Sequence, residues 1–385
     1  MFESFSYFAL QQYWWAIISL LGALLVFLLF VQGGQTLIYT LGKNETERTI
    51  LVNSLGRKWE FTFTTLVTFG GAFFASFPLF YATSFGGAYW VWMIILFCFV
   101  IQAVSYEYRS KPSNVFGPRT FEVFLYINGA VGTIMLGIAV ATFFTGSAFS
   151  IDFSNITRIS DPAISRWESP YRGLEAALNV HNLLLGLTVF LLARILGLLY
   201  FMNNIGHDAI VERAKKALLR NAVPFVAAFV AYVVILLLRK GFAVDPQSNT
   251  VYLENYKYTH NLVAMPIVAV LLFSGTILVL FGIIKTLVSH GYFKGIWFAG
   301  LGTVCFVFSL FLLAGYNNTS YYPSTFDLQS SLTIANSSSS RYTLVAMSYV
   351  SLMIPFVVAY IFYAWRSINK EKLTSEEISS GSHIY

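Results

Sequence analysis

The chain has 385 residues, of which 57% are hydrophobic, 18% aromatic and only 11% charged. A soluble surface could not cover that much apolar material, so an ordinary soluble enzyme is excluded and the chain reads as a polytopic membrane protein. The formal net charge of +6 does not indicate nucleic acid, because the basic residues are dispersed through short loops between apolar runs, where they act as topology signals.

A membrane-spanning helix needs about 17 to 25 apolar residues. Runs of that kind lie at about 13-40, 61-82, 88-105, 121-146, 179-204, 222-239, 261-288, 295-316 and 342-366. The expected fold is therefore all-α, with nine transmembrane helices in a single domain, 1-366, followed by a polar tail, 367-385. The first run is too long for a signal peptide, lacks a basic start and has no small-residue cleavage site, so it is read as a span. Trp and Tyr gather where runs meet the interface, as in Tyr13-Trp14-Trp15 and Tyr89-Trp90. Between the fifth and sixth runs, His207 to Lys216 places acids first and bases later around an apolar stripe, the pattern of a short interfacial helix. Gly206, Asp208, Glu212 and Arg213 echo Gly42, Asn44, Glu47 and Arg48. Such an echo fits two related four-helix bundles with the ninth helix peripheral. The loops at about 147-178, 240-260 and 317-341 are rich in Ser, Asn, Pro, Tyr and Asp and read as connections; the Asn-x-Ser/Thr triplets at Asn155 and Asn336 receive no function.

Lys and Arg set the orientation. Sixteen fall in the segments after runs one, three, five and seven and in the tail, seven lie on the opposite face, and Arg194 stands inside the fifth run. An odd helix count then puts the amino terminus outside and the carboxyl terminus in the cytoplasm.

The chemistry must come from ionisable groups in or beside the membrane. Glu60, directly after Trp59 at the cytoplasmic mouth of the second run, is a carboxylate at the edge of hydrocarbon, which is costly. Two readings stand: a helix-start acid that complements the dipole, or a proton-conducting carboxylate whose pKa is raised by partial burial, with Thr62, Thr64 and Thr65 supplying hydroxyls. Glu107 and Arg109 close the third run and, with Glu122 at the start of the fourth, are expected to form a cytoplasmic ion-pair cluster. Arg194 requires a carboxylate, carbonyls or a partner subunit and should face protein. Gln32-Gly33-Gly34-Gln35 breaks the end of the first helix, lining a cavity or bringing helices close.

His181 and His260 both fall at outer helix ends but lack the spacing of an axial heme pair and read as interfacial histidines. Cys98 and Cys305 lie in apolar runs and suit neither a disulfide nor a thiolate metal site. No HExxH, P-loop, GxGxxG or GxSxG stands in a usable context. Hydrolase, kinase and dehydrogenase readings fall away.

The stretch from Gly42 to Tyr81 contains Asn44-Glu45-Thr46-Glu47-Arg48, Asn53-Ser54, Trp59 followed by an acid, and Gly70-Gly71-Ala72-Phe73-Phe74-Ala75-Ser76-Phe77-Pro78. It resembles subunit II of the cytochrome bd-type quinol oxidases, as do Glu107 to Lys111, Tyr322-Pro323-Ser324 and Ser331 to Asn336. The resemblance implies a nine-helix subunit that pairs with a homologous subunit I, and with small accessory subunits in some complexes, in the bacterial cytoplasmic membrane. Such a complex oxidises quinol and reduces oxygen to water, electrogenically through proton uptake from the cytoplasm. It also implies that two hemes b and one heme d sit on subunit I, with none ligated by this chain and no metal bound by it. Lipids and quinone surround the complex, and nucleic acid has no part. The acid after the motif's Trp is linked in the family to a cytoplasmic proton path, a role that falls here to Glu60 beside Trp59, while Glu107 and Arg109 support the interface. Two departures stand out. Gln32 to Gln35 replaces an Asp-Gly-Phe-Asp type sequence, and Phe61 to Thr65 replaces an Asp-Gly-Asn-rich continuation. A stand-alone secondary transporter, with Arg194 and the break at Gln32 to Gln35 as a midplane site, is the alternative.

Overall fold

In hydrocarbon each backbone N–H and C=O must be satisfied within its own segment, which makes long runs of Leu, Ile, Val and Phe helical. The computed structural model describes residues 2–152, 164–289, 291–368 and 373. Asn155 and nearly all of the polar tail lie outside the described residues.

Helix α1 (Tyr7–Leu28) starts at Ser6, whose Oγ accepts the Ala9 amide at 3.1 Å. Its span continues through α2 (Phe30–Gln35), and α3 (Ile38–Leu41) follows. Asn44 caps α4 (Glu45–Gly56), which leads into α5 (Trp59–Ser76). Pro78 opens the short α6 (Pro78–Phe80), and a π-helical turn spans Tyr81–Gly87. Helix α7 (Tyr89–Tyr108) precedes α8 (Pro118–Ile127) and α9 (Thr133–Thr145), which are joined by a π-helical turn at Asn128–Gly132. Strands β1 (Phe149–Ile151) and β2 (Ser165–Trp167) form an antiparallel pair. Then come α10 (Val180–Asn204), α11 (Asp208–Leu238), the antiparallel strands β3 (Gly241–Val244) and β4 (Val251–Glu254), α12 (Lys257–Ala264), α13 (Pro266–Val288) and α14 (Gly295–Gly315). The chain closes with α15 (Ile334–Ser337), α16 (Arg341–Ser351) and α17 (Ile354–Ile368).

Among the described residues, seven helices are long and apolar enough to cross a membrane, and up to nine spans result if each of two bent pairs counts as one. The bent pairs are Glu45–Ser76 with Pro78–Gly87, at 115°, and Arg341–Ser351 with Ile354–Ile368, at 40°. This is an all-α polytopic membrane protein. Helix α10 packs on α2, α9 and α11, α1 on α5, α14 and α16, and α13 on α14, so the two halves of the chain meet along α1–α2 and α9 against α10 and α14. Small residues permit the closest crossing: a Cβ on Gly33 would stand 1.9 Å from the Ala193 carbonyl oxygen, so α2 and α10 touch backbone to backbone.

Several boundaries differ from the sequence expectation. The run at 61-82 starts at Trp59 and is broken at Phe77, where Pro78 cannot donate to the preceding turn. The segment His207 to Lys216 is no separate interfacial helix: from Asp208 it forms the first turns of the 31-residue α11. The run at 261-288 divides at Met265–Pro266, again because proline ends a helix and begins the next.

Candidate functional site

The basic end of the bundle carries segments 42–58, 109–119 and 206–220. Here the first turn of α5, the last turn of α7 and the length of α17 enclose a groove of about 980 Å³. Glu60 lies in it, exposed, with Thr64, Thr65, Glu107, Ser110 and Lys111. Thr62 does not join them, since it is fully buried and its Oγ1 donates to the Leu28 carbonyl at 3.1 Å, tying α5 to α1. Partial burial of the Glu60 carboxylate is not supplied by the described residues. Trp59 turns the other way and stacks on Tyr106, with ring centroids 5.7 Å apart and planes 16° from parallel. Lys58, which sequence reasoning missed, is fully buried; its Nζ lies 4.7 Å from the centroid of Trp365 on α17 and has no hydrogen-bond partner among the described residues.

The expected cluster of Glu107, Arg109 and Glu122 divides in two. Glu122, 1% exposed, accepts from Arg109 Nη2 at 2.8 Å and pairs with Arg48 Nε at 3.2 Å, while Arg109 Nη2 also reaches Thr49 Oγ1 at 3.2 Å. Glu107 instead points out, 62% exposed, and pairs with Lys111 at 3.0 Å. Residues two apart on a helix face opposite ways, so Glu107 and Arg109 could not both turn inward. Arg48 is the member that sequence reasoning missed. A second ion pair ties α4 to α11: Arg213 Nη1 donates to Glu47 Oε2 at 2.9 Å and to the Leu41 carbonyl, while Glu47 also accepts the Lys43 amide at 2.7 Å. Asn44 and Glu47 have the spacing of a helix-start capping pair, a signal present in the sequence.

Gln32 and Gln35 build a buried amide seam. Both donate to Gln102 Oε1, at 2.6 and 2.7 Å, and Asn128 Nδ2 donates to the same oxygen at 2.6 Å and to Gln35 Oε1 at 2.9 Å. Gln35 Nε2 reaches Tyr106 Oη at 3.1 Å, so the seam ends behind the ring on which Trp59 stacks. Arg194, half-buried, finds neutral partners: its Nε donates to Asn221 Oδ1 at 2.7 Å and its Nη1 to Thr36 Oγ1 at 2.9 Å. Its guanidinium is held between α2, α10 and α11.

His181 and His260 stand in different surroundings. His181 is buried and stacks on Tyr232 at 4.6 Å, whereas His260 is exposed and its Nδ1 is engaged by Glu254 Oε1 at 2.6 Å. Among the described residues, no three His, Cys, Asp or Glu side chains gather as a metal site.

Apolar helices long enough to cross a membrane, a buried ion triad at one end and an exposed carboxylate in a lateral groove define a membrane-embedded helical bundle with a polar groove at its edge. The family model for cytochrome bd terminal oxidase subunit II matches residues 10–368, and the chain belongs to that family. It is 25% identical over 393 residues, 98% of each chain, to cytochrome bd-I ubiquinol oxidase subunit 2 of Escherichia coli strain K12. It is 29% identical over 349 residues to cytochrome bd ubiquinol oxidase subunit 2 of Bacillus subtilis strain 168, covering 87% of this chain and 89% of that protein. Its fold is similar to a chain of the bd oxidase from Geobacillus thermodenitrificans, with a TM-score of 0.62, 10% identity, and coverage of 94% of this chain and 98% of that one.

Proposed function

We propose that the chain is the second subunit of a quinol-oxidising terminal oxidase that reduces oxygen to water in the bacterial cytoplasmic membrane, and that Glu60 admits protons from the cytoplasm. The observation that carries the site is the placement of an exposed carboxylate in a groove whose walls, α5, α7 and α17, set Glu60, Glu107 and Lys111 among apolar side chains. Helix α17 buries none of its own residues, and α7 exposes Met93, Leu96, Phe97, Val100 and Val104. Lipid would suit those side chains but not Glu60, Glu107 and Lys111. A homologous subunit I laid over the groove would satisfy both, enclosing water against the carboxylates and leaving the groove open toward the cytoplasm.

In this arrangement the Glu60 carboxylate takes a proton from groove water and returns it to a water deeper in the groove, with Thr64, Thr65 and Ser110 hydroxyls holding the chain of waters. The proton then travels between the subunits. The amide seam behind Trp59 and Tyr106 offers no alternative, because Gln32, Gln35, Gln102 and Asn128 are all fully buried and none carries an exchangeable charge at neutral pH. Hemes b and d would be ligated by subunit I and would supply the electron transfer and oxygen chemistry. With the amino terminus outside, the basic end faces the cytoplasm, as the Lys and Arg distribution requires. The partner-free transporter reading loses its site, since the Arg194 donors Nε and Nη1 are occupied by Asn221 and Thr36.

Glu60→Gln keeps the shape of the side chain but cannot carry a proton. Oxygen consumption by the purified, fully assembled variant is expected to fall on the order of tenfold or more, with heme content unchanged. Wild-type turnover in that preparation would remove Glu60 from the path.

A further inference from the structure

At the end of the bundle opposite the groove, a polar chamber of about 180 Å³ lies between the start of α7, the end of α9, the start of α10 and segments 146–148 and 322–325. Its oxygens come from Ser84, Thr142, Thr145, Ser147, Asn182 and Tyr322, each at least nine-tenths buried. Trp92 and Trp167 wall it. Among the described residues one carboxylate faces this lining, that of Glu175, whose Oε1 accepts Trp167 Nε1 at 3.0 Å and whose Oε2 accepts the Gly173 amide at 2.9 Å. Those two bonds hold the carboxylate in place without neutralising it. Among the described residues the chamber lining contains no Lys, Arg or His, and nearby Arg172 gives Nη1 to the Trp167 carbonyl at 3.2 Å instead.

We propose that this chamber binds one alkali cation, Na⁺ or K⁺, between the Glu175 carboxylate and the surrounding hydroxyl, phenol and amide oxygens. An all-oxygen set without thiolate or imidazole suits a hard cation, and a single carboxylate balances a single positive charge. The C-terminal carbonyls of α9, around Thr142 and Thr145, add the negative end of a helix dipole. The N-terminus of α10, which would favour an anion, is already closed by Asn179 Oδ1, which accepts the His181 amide at 2.9 Å. A volume of this size also admits several waters, each needing about 10–15 Å³ of such space, so the ion keeps part of its hydration. Bound there, the cation ties α9 and α10 to segment 322–325.

The test uses the purified complete oxidase in choline chloride at constant ionic strength, titrated with NaCl and separately with KCl while the unfolding midpoint is followed. A saturable rise with at least one alkali ion is expected, together with its loss in Glu175→Gln at unchanged heme content and turnover. A midpoint indifferent to the replacement of choline, or an equal rise in Glu175→Gln, overturns the proposal. If that variant does not assemble, the wild-type complex in RbCl decides: an anomalous peak in the chamber supports the site, and its absence at saturating Rb⁺ contradicts it.

Discussion

Glu122 and Glu107 lie at the same end of the bundle and behave as opposites. Glu122 is enclosed by two guanidinium groups, so replacing it with Leu strands Arg109, itself only 4% exposed, beside Arg48. Removing one partner of a buried ion pair costs about 3–5 kcal/mol, and Glu122→Leu should sharply reduce the yield of folded complex. Glu107→Gln disturbs only an exposed pair with Lys111, worth about 0–1 kcal/mol, and should leave the unfolding midpoint where it is. Equal losses in the two variants would mean that the triad does not hold this corner. The sequence brought Glu60 and Glu122 forward, because an acid beside an apolar run is visible without coordinates. It did not separate Glu107 from Arg109, although their spacing of two residues already placed them on different helix faces. Arg48, 74 positions before Glu122 in the chain, could be matched to Glu122 only by folding, since nothing local joins α4 to α8.

Helix breaks, rather than helix positions, organise the elements. Long apolar runs marked the candidate spans, yet hydropathy averages straight through Phe77, where the chain bends by 115°, and through Leu29 and Met265, where one helix ends and the next begins. Pro78 and Pro266 at helix starts were the available signals. Gly33 shows what such a corner demands. Gly33→Ala would drive a methyl against the Ala193 carbonyl, and overpacking of this kind costs about 1–3 kcal/mol; the complex should unfold at lower temperature, whereas Gly71→Ala, with nothing within 4 Å of the added carbon, should not. At the same crossing, Arg194→Leu leaves Asn221 Oδ1 without its donor, while Thr36 Oγ1 keeps its own bond to the Gly33 carbonyl at 2.7 Å. A loss of about 1–3 kcal/mol is expected for the stranded amide, seen as reduced assembly with normal turnover per heme. Normal yield would show that the guanidinium is dispensable there.

For the molecule as a whole, apolar exposure marks two different surroundings. Helix α13 presents Ile267, Val270, Phe273, Ile277 and Ile284 outward without a charge among them, the composition of a lipid-facing helix. The groove face of α5, α7 and α17 mixes apolar residues with Glu60, Glu107 and Lys111, which calls for a protein partner. Composition alone reached the membrane class, but the groove emerged only when three segments distant in sequence were brought together. The most direct measurement is to purify the complex through a tag on this chain and record its subunit composition and its reduced-minus-oxidised spectrum. The account predicts a second large subunit with the absorption of hemes b and d. A colourless preparation containing this chain alone, folded and monodisperse, would contradict it.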